Sequence, residues 1–175
     1  MAPSRKRPGR TGADKVRSAE PLTWLPGSNI DYLVSNGRLE WVTPDPEFSK
    51  SLLEKAKRHI FSAALIAETD DSDLAISNAY DAARKALTAI IADQGLRPTL
   101  RGGHTVILEL LRPQFPDSRE VFLGFDWLRI KRHGAEYPDP TQTPVSEADL
   151  QDALNIAKDV VSLAERYLDQ YGESE

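Results

Sequence analysis

Arg129, Lys131, Arg132 and His133 fall within five residues and are followed at once by Glu136 and Tyr137, in a chain whose net charge is −5. These residue types handle phosphate esters without a metal. An arginine holds a phosphate through two parallel hydrogen bonds and stabilises charge developing on it, while a histidine moves a proton near neutral pH. On RNA, such a base would activate a 2′-hydroxyl for attack on the adjacent phosphate. The cations around His133 disfavour its imidazolium and so favour the neutral, basic ring. At about 100° per residue, Arg129, Arg132, His133 and Glu136 share one arc of a helix, with Tyr137 at its edge and Trp127 and Leu123 on the far side. The arc is expected to face outward, with Trp127 in the core. The same residues also fit a solvated helix end, because cations belong at a helix C-terminus and Arg132 can pair with Glu136 at helical spacing.

The elements that must position this patch read as helices. Pro46 to Ala67 places Phe48, Leu52, Ala56, Ile60 and Ala63 at three- and four-residue steps behind a proline start. Ser72 to Gln94 repeats the pattern with Ala75, Ala79, Ala82, Ala83, Ala86, Leu87, Ile90 and Ile91, begins at an Asp/Ser cluster and stops at Gly95. Its alanine face permits close helix approach. His104 to Leu111 is a shorter helix entered through Gly102-Gly103, and His104 reads as its first residue rather than as a site residue. A helix from about Asp117 to Glu136 carries the basic patch and ends before Pro138. Ser146 to Tyr171 opens with Ser146 and Asp149 at capping-box spacing. No segment alternates as a strand should. The expectation is an all-α, antiparallel up-and-down bundle of four long helices plus one short one, spanning residues 46–171.

Ahead of it, residues 21–45 mix Leu22, Trp24, Leu25, Ile30, Leu33, Leu39 and Trp41 with glycines and prolines. They read as an irregular segment, with a short helix near Asn29 to Ser35, packing on the bundle or on a partner. Residues 1–20 carry a net of +4, which leaves −9 for the rest. With almost no large apolar residue they form a basic arm expected to be disordered, either a nucleic-acid tail or a solubilising end.

Several chemistries are set aside. No cysteine is present, so there is neither a disulfide framework nor a thiolate metal site. His59, His104 and His133 form no HxxxH or HExxH pair, and no metal or cofactor is expected. No glycine pattern matches a known phosphate-cradling loop, and no serine stands in a nucleophile elbow. No apolar run approaches the length of a membrane span and no secretory signal is visible, so the expected location is the cytoplasm.

Three blocks in order carry a resemblance: Tyr80-Asp81-Ala82-Ala83-Arg84-Lys85-Ala86; Gln94-Gly95-Leu96-Arg97-Pro98-Thr99 with Arg101-Gly102-Gly103-His104; and Arg129 through Pro138. Over roughly residues 48–168 the chain resembles the HEPN superfamily, in particular a bacterial subfamily whose late motif reads Arg-Asn-x-x-Glu-Tyr. The resemblance implies a helical bundle that often dimerises with its motif helices at the seam. It also implies the metal-independent endoribonuclease activity that many members use in toxin-antitoxin or defence systems, through an arginine and a histidine with four to six residues between them; from Arg129 to His133 there are only three. Carried over, Arg132 is the family arginine and His133 takes the place of the polar residue after it. Here the five-residue step from Arg132 reaches Tyr137, and no histidine follows.

Two functions follow. One is a non-catalytic module binding RNA or a nucleotide, or a partner such as a nucleotidyltransferase-like antitoxin, as a homodimer. The other is an endoribonuclease toxin with Arg132, His133 and Tyr137 as catalytic residues. In either, Arg129, Lys131 and Glu136, joined by Tyr80, Asp81 and Arg84 from the second long helix, are the candidate substrate-binding residues. Asp81 and Lys85 also form an ordinary i,i+4 pair, and Tyr80 also fits a core position with its hydroxyl in water.

Overall fold

The computed structural model describes residues 29–137 and 139–172, and of 171 and 172 the backbone only. The basic arm at 1–20, and Leu22, Trp24 and Leu25, lie outside the described residues. Four long helices form the body: α2 (Pro46–Ile66), α3 (Ser72–Asp93), α5 (Arg119–Glu136) and α6 (Glu147–Gly172). Two short helices, α1 (Ile30–Ser35) and α4 (Thr105–Leu111), and two three-residue strands, β1 (Leu39–Trp41) and β2 (Leu96–Pro98), complete the described elements with two 3₁₀ turns after α4.

Local chemistry sets the helix ends. Asp45 accepts from the Phe48 amide at 2.9 Å ahead of Pro46, and Asp71 accepts from the Leu74 amide at 3.0 Å. Each satisfies an amide that the first helical turn leaves without a partner. At α6 the reciprocal box forms as its spacing predicts: the Asp149 amide donates to Ser146 Oγ at 3.0 Å, and the Ser146 amide to Asp149 Oδ2 at 3.1 Å. After α3 the chain turns at Gly95 with φ +72°, a left-handed conformation open to glycine at little cost.

Helix α3 is the spine. It touches α2, α5, α6 and β2, and Ala75, Ala79, Ala82, Ala83, Ala86 and Ala89 are all buried with Ile76, Leu87, Ile90 and Ile91. Alanine on several sides lets three long helices approach one. From α5 the core takes Phe122, Phe125 and Leu128, and from α6 Ala153, Ala157, Val160 and Ala164.

The strands depart from the sequence reading. β1 and β2 pair antiparallel with Leu39 opposite Pro98, Glu40 opposite Arg97 and Trp41 opposite Leu96. Three residues are too few for alternation to show, and a proline in β2 argues against a strand unless it is an edge. Tertiary contacts form them instead: Leu39 and Leu96 are buried, and Arg97 Nε donates to Glu40 Oε1 at 2.7 Å across the pair. No described helix is long and apolar enough to cross a membrane.

This small ribbon fixes the loop before α4. Arg38 grips Glu109 of α4 through both carboxylate oxygens, at 2.6 and 2.7 Å, and donates to Thr105 Oγ1 at 3.1 Å. The Thr99 amide donates to the Arg38 carbonyl at 3.0 Å, and the Gly102 amide to the Thr99 carbonyl at 3.0 Å. Gly102 lies so close that a Cβ there would stand 2.2 Å from the Arg38 carbonyl oxygen. The loop is thus held from both sides, and its last residue is His104.

Candidate functional site

The end of α5 does not turn its arginine patch away from the protein. Phe125, Leu128 and Arg132 follow one another along the same face, so the core stripe runs straight into Arg132 and aims it at α3. The guanidinium carbon of Arg132 lies 5.4 Å from the centre of the Tyr80 ring, and Arg132 donates to Glu136 at 2.5 Å. The outward face is a different one: Leu123, Ile130 and Tyr137 are 45%, 58% and 66% exposed. Trp127, expected in the core, is only partly buried, and Lys131 Nζ lies over its ring at 5.3 Å. The sequence reading holds for His133 and Glu136, which are exposed, but not for Arg132, which turns toward α3, or for Leu123, which is exposed. Two apolar faces compete on α5, and phenylalanine and leucine at Phe122, Phe125 and Leu128 win the core over the stripe holding Trp127 and Leu123.

The candidates therefore divide. Arg132, Glu136 and Asp81 line one cleft of about 190 Å³ together with Ser77 and Asn78 of α3. Tyr80 lies directly under Arg132. Arg84 stands beside Asp81, donating to it at 3.2 Å, while Lys85 donates to its other oxygen at 2.6 Å. Arg129 instead pairs with Asp126 on its own helix at 2.9 Å, and Lys131 reaches across to Asp149 of α6 at 2.9 Å. His133 is exposed and packs its ring against Tyr137, the centroids 5.0 Å apart. None of Arg129, Lys131, His133 and Tyr137 lines the cleft.

A different histidine is present. Tyr80 is buried between Phe125 and His104, with ring centroids at 5.5 and 5.6 Å, and its hydroxyl is hydrogen-bonded to His104 Nδ1. Burial pushes the Tyr80 hydroxyl up to about 12, against the pull of Arg84, Arg132 and Arg129, so it keeps its proton. Burial also lowers His104 below the ordinary 6.5, and Arg84 and Arg132 lower it further, against Asp81 and Glu136. His104 is therefore mostly neutral at pH 7 and sits in the field of both arginines. On the other flank, His59 of α2 has Nδ1 3.7 Å from Asp81 Oδ2, beyond a hydrogen bond, and is lowered by burial and then by Lys85. Burial pushes the Asp81 carboxyl up, but the Lys85 hydrogen bond and the charges of Arg84 and Lys85 together hold it below its usual range.

The sequence reading gave His104 no part in the site. It does stand at the N-cap of α4, but its side chain makes no capping bond there. The signal was Tyr80: a tyrosine at a core position of a helix needs a partner for its hydroxyl. Ser77 and Asn78 carried no signal at all.

Chemically, the cleft offers an anion the Arg132 guanidinium with the side chains of Ser77 and Asn78, beside the carboxylates of Asp81 and Glu136; Arg84 and His104 stand near it without lining it. A larger depression of about 360 Å³ lies between α5 and α6, lined by Leu123, Gly124, Trp127, Asp152, Asn155, Ile156 and Asp159. Its lining has two carboxylates and no cation to offset them, which disfavours phosphate, so size is a poor guide here. Among the described residues no three His, Asp or Glu side chains converge as a metal-binding set. The family model described as "HEPN domain" matches residues 49–167, more than half of the chain and all of the cleft. No curated protein and no solved structure matches it.

Proposed function

The chain belongs to the HEPN family, and on that premise we propose that it is an RNA- or nucleotide-associated module that grips phosphate in the cleft between α3 and α5 without cutting the strand. One observation carries the choice of binding over cleavage. Arg132 enters the cleft, while His133, the ring nearest the family's catalytic place, is exposed and packs on Tyr137 outside it. An endoribonuclease built on Arg132 and His133 needs both at one phosphate, within hydrogen-bond reach. Arg84, Asp81, Tyr80 and Glu136 serve binding in this proposal, and Arg129 and Lys131 contribute only long-range charge.

A bacterial toxin-antitoxin or defence setting, and a nucleotidyltransferase-like antitoxin as partner, belong to the same proposal and rest on the family resemblance. A homodimer is also part of it. The exposed Leu123 and Ile130 on α5, with Tyr137 just beyond its end, favour one, since an apolar surface in water gains by being covered.

The test is labelled single-stranded RNA in chelator with the purified chain and its Arg132→Ala and His133→Ala variants. Intact RNA bound by the wild type and by His133→Ala, but tenfold or more weakly by Arg132→Ala, is the expected result. Cleavage lost in both variants would replace this reading with the ribonuclease, and no interaction at all would end it.

A further inference from the structure

We propose that the groove between α5 and α6 is the docking site of this chain's own basic arm, with Arg7 and Arg10 on the carboxylates of Asp152 and Asp159 and Pro8 between them on the Trp127 ring. This groove shares no residue with the cleft between α3 and α5, so the phosphate reading and this one stand or fall separately.

Leu123, Gly124, Trp127 and Ile156 give the groove, of about 360 Å³, an apolar floor, and Asp152 and Asp159 stand exposed on its α6 side. Seven residues apart on α6, the two carboxylates share one face and lie about 10 Å from each other along the axis. Among the described residues neither is in an ion pair, whereas Asp149, one turn earlier, holds Lys131 at 2.9 Å. The same Lys131 Nζ lies over the Trp127 ring at 5.3 Å, so this indole already attracts a cation. An apolar floor beside two unpaired carboxylates suits a segment with two cations about 10 Å apart and an apolar group between them.

The arm carries such a segment. Residues 1–20 hold a net of +4 against −9 for the rest of the chain, and within them Arg7-Pro8-Gly9-Arg10 sets two arginines three residues apart. In an extended chain that is about 10 Å, the spacing of the carboxylates. Arginine meets a carboxylate through paired hydrogen bonds. Proline seats in aromatic-lined grooves because its extended conformation is preset. The described chain also begins on the right side of the molecule: Asn29 donates to the Glu109 carbonyl of α4, Arg112 just beyond reaches Asp126 of α5 at 3.6 Å, and Trp127 is the next residue. The eighteen residues between Arg10 and Asn29 span up to about 60 Å, more than the roughly 39 Å of α6. This tether makes docking intramolecular, so contacts too weak to hold a separate peptide suffice. The arm's charge is then spent on the body rather than on RNA.

The experiment uses the full chain, which has no cysteine, so Thr11→Cys supplies one site for a nitroxide label that broadens the amide signals near it. At about 0.05 M salt the label should broaden Gly124, Trp127 and Ile156, and at about 0.5 M the effect should largely vanish. Arg7→Glu/Arg10→Glu should abolish the broadening, Asp152→Arg/Asp159→Arg should abolish it too, and the four changes together should restore it. Labelled chain without ¹⁵N, mixed with unlabelled ¹⁵N chain, should broaden nothing. Affinity for hydroxyl-ended RNA should stay within about twofold in Arg7→Glu/Arg10→Glu. Sharp groove signals in the labelled chain, or broadening that survives either charge reversal, overturn the docking. Broadening that appears only in the mixture overturns the same-chain assignment in favour of a second copy. Sharp groove signals together with RNA binding weakened about tenfold by Arg7→Glu/Arg10→Glu would make the arm a nucleic-acid tail instead.

Discussion

Gly102→Ala tests whether the ribbon and its loop position His104. The added methyl would stand 2.2 Å from the Arg38 carbonyl oxygen and 3.0 Å from Val106 Cγ1, whereas real Cβ contacts essentially never fall below 3.0 Å. The obstacle is backbone, and that backbone is tied down: Arg38 is clamped on Glu109 and its carbonyl accepts from Thr99. Something must open by most of an ångström. Overpacking of this kind costs about 3 kcal/mol, the upper end of its usual range, which for a domain of this size lowers the melting temperature by about 6–12 °C. Gly103→Ala next door is the control. Its φ of +58° strains any other residue, but nothing lies within 4 Å of the added Cβ, so about 1 kcal/mol is expected. Thermal denaturation followed by circular dichroism ranks the two. In Gly102→Ala the His104 ring signals should also move, because the loop that carries the ring has shifted. A Gly102→Ala protein melting within a degree of the wild type, or one more stable than Gly103→Ala, refutes the account of the loop.

Removing the α3 cap by Asp71→Ala should cost about 1 kcal/mol in urea denaturation, because the Leu74 amide loses its acceptor; no change would mean that water replaces the cap. His59 and His104 are both held below 6.5 by burial and nearby cations. A histidine with a depressed folded value stabilises the fold fully above the unfolded value, and that contribution is lost as pH falls through 6.5 toward the folded values. Stability should therefore decline from pH 7.5 to 5.5, and the double variant His59→Gln/His104→Gln should show a flatter profile; an equal slope in both proteins contradicts the shifts. For the proposed dimer, sedimentation should find a dimer for the wild type and a monomer for Ile130→Asp, while a monomeric wild type removes the dimer from the proposal.

Helix ends were legible in the sequence because they are local. Ser146 and Asp149 three residues apart, Pro46 after Asp45, and Gly95 after an alanine-rich run each specify a boundary through contacts inside one turn. The alanine face of α3 likewise announced a helix that others approach closely. The strands were not legible, since Leu39–Trp41 and Leu96–Pro98 are strands only because each finds the other across more than fifty residues. The site stood between these cases. Helical spacing correctly groups Arg132 with Glu136, but it cannot say which neighbour each arc meets, and the neighbours assign Arg129 to Asp126, Lys131 to Asp149 and His133 to solvent. His104 lies twenty-four residues from Tyr80 in sequence and beside it in space. No spacing rule reaches that far, and only the unmet hydroxyl of a core tyrosine hinted at it.

The most direct measurement is a double-variant cycle on hydroxyl-ended single-stranded RNA, titrated with the wild type, Arg84→Ala, Arg132→Ala and the pair in chelator at several salt concentrations. If both arginines hold one phosphate, each single variant loses about tenfold, the pair loses less than the product of the two, and each lost contact flattens the plot of log affinity against log salt by about 0.7. Affinity and salt slope unchanged by Arg132→Ala would contradict the cleft as a phosphate site.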